Sequence, residues 1–105
     1  DSPLMASIAA AAIPTMPQFS AQDIGNMAWS FASLKCPDAP LLQAIATQSR
    51  RMLSQLLPQN LTNIAWSCAT LGVRDAPLLA AISEEFLAKI GECNAQNLAN
   101  TAWAF

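Results

Sequence analysis

Apolar residues recur along this chain every three or four positions, and no stretch alternates apolar with polar as a half-buried strand would. From about Gln22 to Lys35 the apolar positions are Ile24, Met27, Ala28, Phe31 and Leu34. From Gln59 to Gly72 they are Leu61, Ile64, Ala65, Cys68 and Leu71. Both sets follow the i, i+3, i+4, i+7 spacing of one helix face, and we call this segment helix A. A second type, helix B, opens at Asp38 or Asp75 as N-cap with a proline in its first turn. It runs through Leu41, Leu42, Ile45, Met52, Leu53 and Leu56, with a polar face at Gln43, Thr47, Gln48, Arg51 and Gln55. Its later copy carries Leu78, Leu79, Ile82, Phe86 and Ile90. A third helix A begins at Gln96. Short connections make successive helices antiparallel neighbours, so the expected fold is all-α.

The boundaries carry recognisable signals. Ser20 and Asn94 are suited to capping helix A, while in the middle copy Leu57 takes that column and Pro58 opens the helix. Gly72 is a stop signal. In the first helix B, Ile13, Pro14 and Pro17 stand where the second copy has Arg50, Arg51 and Ser54. A proline inside a helix removes a hydrogen bond and costs about 3 kcal/mol, so this helix is expected to end early.

These segments are copies of one unit. Trp29, Trp66 and Trp103 lie 37 residues apart, in the hexamers NMAWSF, NIAWSC and NTAWAF. The same interval relates DSPLM at Asp1 to DAPLL at Asp38 and at Asp75, and it aligns Ile8 with Ile45 and Ile82. Residues 38–68 and 75–105 share 13 identities in 31 gapless columns, where unrelated sequences would share about two. A fixed period of this size marks a superhelical α-solenoid of antiparallel helix pairs. The chain reads as one array of about three units, 1–37, 38–74 and an incomplete 75–105. Neither end carries a polar capping repeat, so we expect a section of a longer array, or ends covered by other protein subunits.

Composition narrows the chemistry. Of 105 residues 53% are hydrophobic and 11% charged, the formal net charge is −2, and there is no histidine. Histidine-based acid/base catalysis and histidine-ligated metal are excluded. The three cysteines, Cys36, Cys68 and Cys93, occupy columns that are otherwise apolar, and their spacing fits no metal or redox motif, so buried thiols are expected. No nucleophile has a base to activate it, no paired carboxylates or glycine-rich phosphate loop can be assembled, and no enzyme, cofactor or metal site is expected. The uncharged run from Ser2 to Gln22 is broken by three prolines and does not read as a membrane span.

Helix A carries two further faces. Trp29 lies nearly opposite the Ile24, Met27, Phe31 face, flanked by Gly25, Ala32, Asn26 and Ser33, so Trp29, Trp66 and Trp103 are expected to pack between repeats. The alternative is a ladder of platforms for stacked nucleobases. The remaining sector is an uncharged stripe able to donate and accept hydrogen bonds: Gln22, Asn26 and Ser30, then Gln59, Asn63 and Ser67, then Gln96 and Asn100. It is a candidate base-reading surface, with Arg50 and Arg51 as candidate phosphate contacts. The repeated Asn26, Asn63 and Asn100 also fit a structural reading, an asparagine ladder that ties neighbouring units.

The pattern PQNLTNIAWSCATLGVRDAPLLAAI, with its echo AQDIGNMAWSFASLKCPDAPLLQAI, resembles the octotricopeptide and heptatricopeptide repeats of organellar proteins, which are related to repeats of FAST kinase-like proteins. The resemblance covers essentially the whole chain. It implies an α-solenoid that binds single-stranded RNA in a chloroplast or mitochondrion and supports transcript maturation, stability, translation or ribosome assembly. The low charge and acidic balance favour a different class, a non-catalytic interaction subunit of a large organellar complex. In either case a parent chain is expected to continue beyond Phe105 with a sequence close to Ala-Thr-Leu-Gly.

Overall fold

The computed structural model describes residues 2–105, and Asp1, which shares a column with Asp38 and Asp75, lies outside the described residues. Among those residues the fold is all-helical: α1 (Ser2–Thr15), α2 (Ala21–Ser33), α3 (Ala39–Arg51), α4 (Pro58–Leu71), α5 (Ala76–Ala88) and α6 (Ala95–Ala104). Starts repeat at the sequence interval, with Ala21, Pro58 and Ala95 opening α2, α4 and α6, and Ala39 and Ala76 opening α3 and α5.

Local chemistry accounts for these starts. The Asp38 carboxylate accepts from Leu41 N at 3.0 Å and the Asp75 carboxylate from Leu78 N at 2.9 Å, each relieving an orphan donor of a first turn that begins with Ala-Pro. At α2 the Ser20 hydroxyl and the Asp23 carboxylate cap each other's backbone, and Asn94 and Asn97 do the same at α6. Leu57 has no side-chain acceptor to offer α4, so half of this device remains: Asn60 Oδ1 accepts from Leu57 N at 2.9 Å, and Pro58 at the helix start has no N–H to satisfy. At the other end Gly72 adopts φ 73°, and Val73 N reaches back to Cys68 O at 2.8 Å. Lys35 holds the same column in the same left-handed conformation, φ 52°, with Cys36 N bonded to Phe31 O at 2.9 Å.

The sequence reading fails at two places. Helix B does not run unbroken to Leu56; it stops at Arg51 and gives way to a 3-10 turn at Leu53–Gln55, matched by Met16–Gln18 and Ile90–Glu92. Met52, Leu53 and Leu56 sit at helical spacing, but the tighter turn leads Leu56 into the core, where it is fully buried. Nor does Pro14 shorten α1, which ends at Thr15, one column beyond the end of α3. Pro14 falls in a last turn that was about to end anyway, so only one bond is forgone, and the Thr15 hydroxyl donates to Ala12 O at 3.0 Å nearby.

The helices form two layers. In one, α2 lies against α4 and α4 against α6; in the other, α3 touches α1 and α5. Between them runs a continuous core that includes Ile24, Phe31, Leu41, Ile45, Leu61, Ile64, Leu78 and Ile82. Each such side chain contributes roughly 1.5–3 kcal/mol by leaving water. Burial divides by position in the row: Ile45 and Ile82 are enclosed, while Ile8, in the same column of α1, stands 37% exposed. Backbone acceptors tie adjacent helix pairs. Gln48 Nε2 donates to Pro17 O at 3.4 Å, and Lys89 Nζ donates to Ser54 O at 3.0 Å and to Leu56 O while pairing with Glu85 at 3.1 Å.

Candidate functional site

Three of the helices present their N-terminal halves side by side, and the polar stripe of helix A runs across them. Between α2 and α4 lies a hollow of about 500 Å³, lined by Gln22 and Asn26 from one side and Gln55, Gln59, Asn60 and Asn63 from the other. Between α4 and α6 the equivalent hollow measures about 130 Å³, with Gln59 and Asn63 on one wall and Asn94, Gln96, Asn97 and Asn100 on the other. Six of the stripe residues singled out in the sequence, Gln22, Asn26, Gln59, Asn63, Gln96 and Asn100, therefore meet in one groove. Among the described residues no charged side chain lines either hollow.

The amides of the groove are largely uncommitted. Asn60 and Asn97 are occupied as caps, but the side chains of Gln22, Asn26, Gln59, Asn63, Gln96 and Asn100 make no hydrogen bond among the described residues. An asparagine ladder between units is therefore not formed. The helices are offset, so that Asn63 faces Gly25 rather than Asn26: a Cβ added at Gly25 would lie 3.8 Å from Asn63 Nδ2 and 3.6 Å from Asn60 Nδ2. What ties α4 to α6 is instead a buried hydroxyl pair, Thr62 with Thr101, at 3.0 Å. The threonines were not singled out in the sequence, because Gly25 and Thr62 share a column and resemble each other in nothing.

Ser67 leaves the stripe. Its side chain is fully buried and its hydroxyl turns back to Asn63 O at 2.6 Å, so it cannot meet a ligand in the groove. Helix α4 is flanked on both sides, which closes over a position that stays half-buried at Ser30 on α2. Arg50 and Arg51 are exposed at the end of α3; neither lines the groove, and Arg51 borders a separate hollow of about 360 Å³ between α1 and α3. Lys35 lies at the C-terminal turn of α2, away from the hollow at its N-terminal half, and Lys89 is engaged with carbonyls and Glu85.

The tryptophans lie at the surface of the helix A layer. Trp29 is 51% and Trp103 63% exposed, and Trp66 is half-buried, with its ring 6.5 Å from that of Trp103 at a tilt of 37°. Trp66 and Trp103 thus touch across two helices while each keeps part of its surface in water. Cys68 is buried, and that burial, with the Asp75 charge adding to it, pushes the thiol up to about 11; Cys36 and Cys93 are half-buried. No group of three or more His, Cys, Asp or Glu among the described residues could hold a metal ion. No helix of the described residues is long and apolar enough to cross a membrane.

No protein-family model, curated protein or solved structure matches this chain.

Proposed function

We propose that the chain is part of an α-solenoid of 37-residue helix pairs, whose helix A groove binds single-stranded RNA in a chloroplast or mitochondrion and serves transcript maturation, stability, translation or ribosome assembly. The observation that carries the reading is the row of unpaired amides on adjacent helices. Asn and Gln each offer a donor and an acceptor, which suits the edges of unstacked bases, and a groove that has left them without protein partners keeps them available. The part played by the cations is small. With Lys89 engaged and Lys35, Arg50 and Arg51 outside the groove, no more than two or three cations are expected to reach one strand along its flanks, and binding by this segment alone is expected to be weak.

The test is a mobility-shift titration with single-stranded RNA across a salt series. The slope of log affinity against log salt is expected to be about −1.4 to −2.1, the value for two or three phosphates contacted on a single strand. Replacing Arg50 and Arg51 together with Gln lowers that slope only where the end of α3 reaches the RNA. A second reading, an interaction subunit of a larger organellar complex, draws on Ile8, exposed in a column where Ile45 and Ile82 are buried. Absence of RNA binding even at low salt would replace the first reading with this one.

A further inference from the structure

Both hollows of the groove are lined by the same kinds of amide, yet they differ in size by a wide margin. About 500 Å³ falls within the range of small-molecule sites, roughly 300–1,000 Å³, whereas about 130 Å³ falls well below it. The two junctions are also joined differently. At the smaller hollow Thr62 hydrogen-bonds Thr101, and the capping pair Asn94 and Asn97 forms part of the wall. At the larger one Gly25 meets α4 with no side chain, Leu57 stands in the column of Asn94, and the wall includes Gln22, Asn26, Gln59 and Asn63, whose amides have no hydrogen-bond partner among the described residues.

Resting on the RNA-binding reading, we infer that the segment reads a single nucleotide, in the α2–α4 hollow, and that the α4–α6 junction reads none. The base it takes is adenine. An amide presents one donor beside one acceptor; adenine matches it on two edges, N6 beside N1 and N6 beside N7, whereas cytosine offers an amino group beside a ring nitrogen on one edge only, and Asn and Gln pair with adenine in this bidentate way. Guanine is better served by the fork of an arginine, and no cation lines the hollow. The phosphates that flank this base meet no Lys or Arg within the hollow, so the two or three cation contacts expected for a strand lie farther along it.

The experiment is a fluorescence-anisotropy titration of the 105-residue chain at low salt with oligouridine nonamers carrying one central A, C, G or U. The A-containing strand is expected to bind about tenfold more tightly than the others, in line with one good bidentate contact. Asn26→Ala and Gln22→Ala should each remove most of that preference, while Gln96→Ala and Asn100→Ala should change it by less than about twofold. Thermal melts of the four variants check that each remains folded. Equal binding of all four strands would overturn this inference and leave the RNA-binding reading standing. So would a preference lost equally from both hollows, which would mean one base at each junction. No binding by any strand would overturn both.

Discussion

The α2–α4 and α4–α6 junctions use the same columns of the sequence and are held by different forces. At the first, Gly25 faces Asn60 and Asn63 with no side chain of its own, and Ile64, in the column of Thr101, is fully buried in the core; at the second the same two columns hold Thr62 and Thr101, joined through their hydroxyls. The second also carries the ring contact between Trp66 and Trp103. One backbone arrangement thus accepts a bare glycine with a buried isoleucine, or a buried hydroxyl pair, in these two columns. The junctions differ also in what is left over, a wide amide-lined hollow at the first and a narrow one at the second.

Truncating the apolar seam should have the largest effect. Ile64→Ala removes a fully enclosed side chain and is expected to destabilise by about 2–5 kcal/mol in urea denaturation, the range for large-to-small core changes. A loss below about 1 kcal/mol would mean that the first junction is held elsewhere.

The polar seam should break in a different manner. Thr62→Val or Thr101→Val alone strands a buried hydroxyl and is expected to lose about 1–3 kcal/mol, while the double replacement should recover most of that loss. A double-mutant cycle reads the coupling directly, and strict additivity would show that the two hydroxyls do not act as a pair.

The ring contact separates the junctions by a smaller margin. Trp66→Ala should lower stability more than Trp29→Ala, by about 0.5–1.5 kcal/mol, because Trp66 has a ring neighbour and less exposed surface. Equal losses would assign the tryptophans the same environment and remove this difference between the seams.

Smallest of all is the change at the glycine itself. A methyl group at Gly25 would meet Asn60 Nδ2 at an ordinary contact distance of 3.6 Å, so Gly25→Ala should raise stability by about 0.5–1 kcal/mol through helix propensity. Destabilisation instead would show that the approach of α4 to α2 is tighter there than an alanine permits.

Much of this could be read in advance, and the failures have physical causes. Asp38, Asp75, Ser20, Asn94 and Gly72 act where their chemistry placed them, because capping depends on a few neighbouring residues. The 3-10 turns were hidden because Met52, Leu53 and Leu56 keep helical spacing through a segment that is not α-helical. The column logic that revealed the units also misled. It set Asn26 beside Asn63, although packed helices are offset and Asn63 faces Gly25. It also treated Ser30 and Ser67 alike, although α4 is enclosed on two sides and α2 is not. The presence of the polar groove was legible from Gln22, Asn26, Gln59, Asn63, Gln96 and Asn100. Its unequal division was not, since hollow size is a property of how packed helices sit against each other and the repeated columns treat every junction alike.

The carbonyls that bind Gln48 and Lys89 set a schedule on synthesis. Pro17 O awaits a donor 31 residues downstream, and Ser54 O one 35 residues downstream. At a ribosomal pace of about 5–20 residues per second, each turn emerges roughly 2–7 s before the side chain that completes it. During that interval the turn has its own local backbone bonds, Phe19 N to Met16 O and Leu56 N to Leu53 O, but these outward carbonyls are left to water, and each helix pair is locked by the one translated after it.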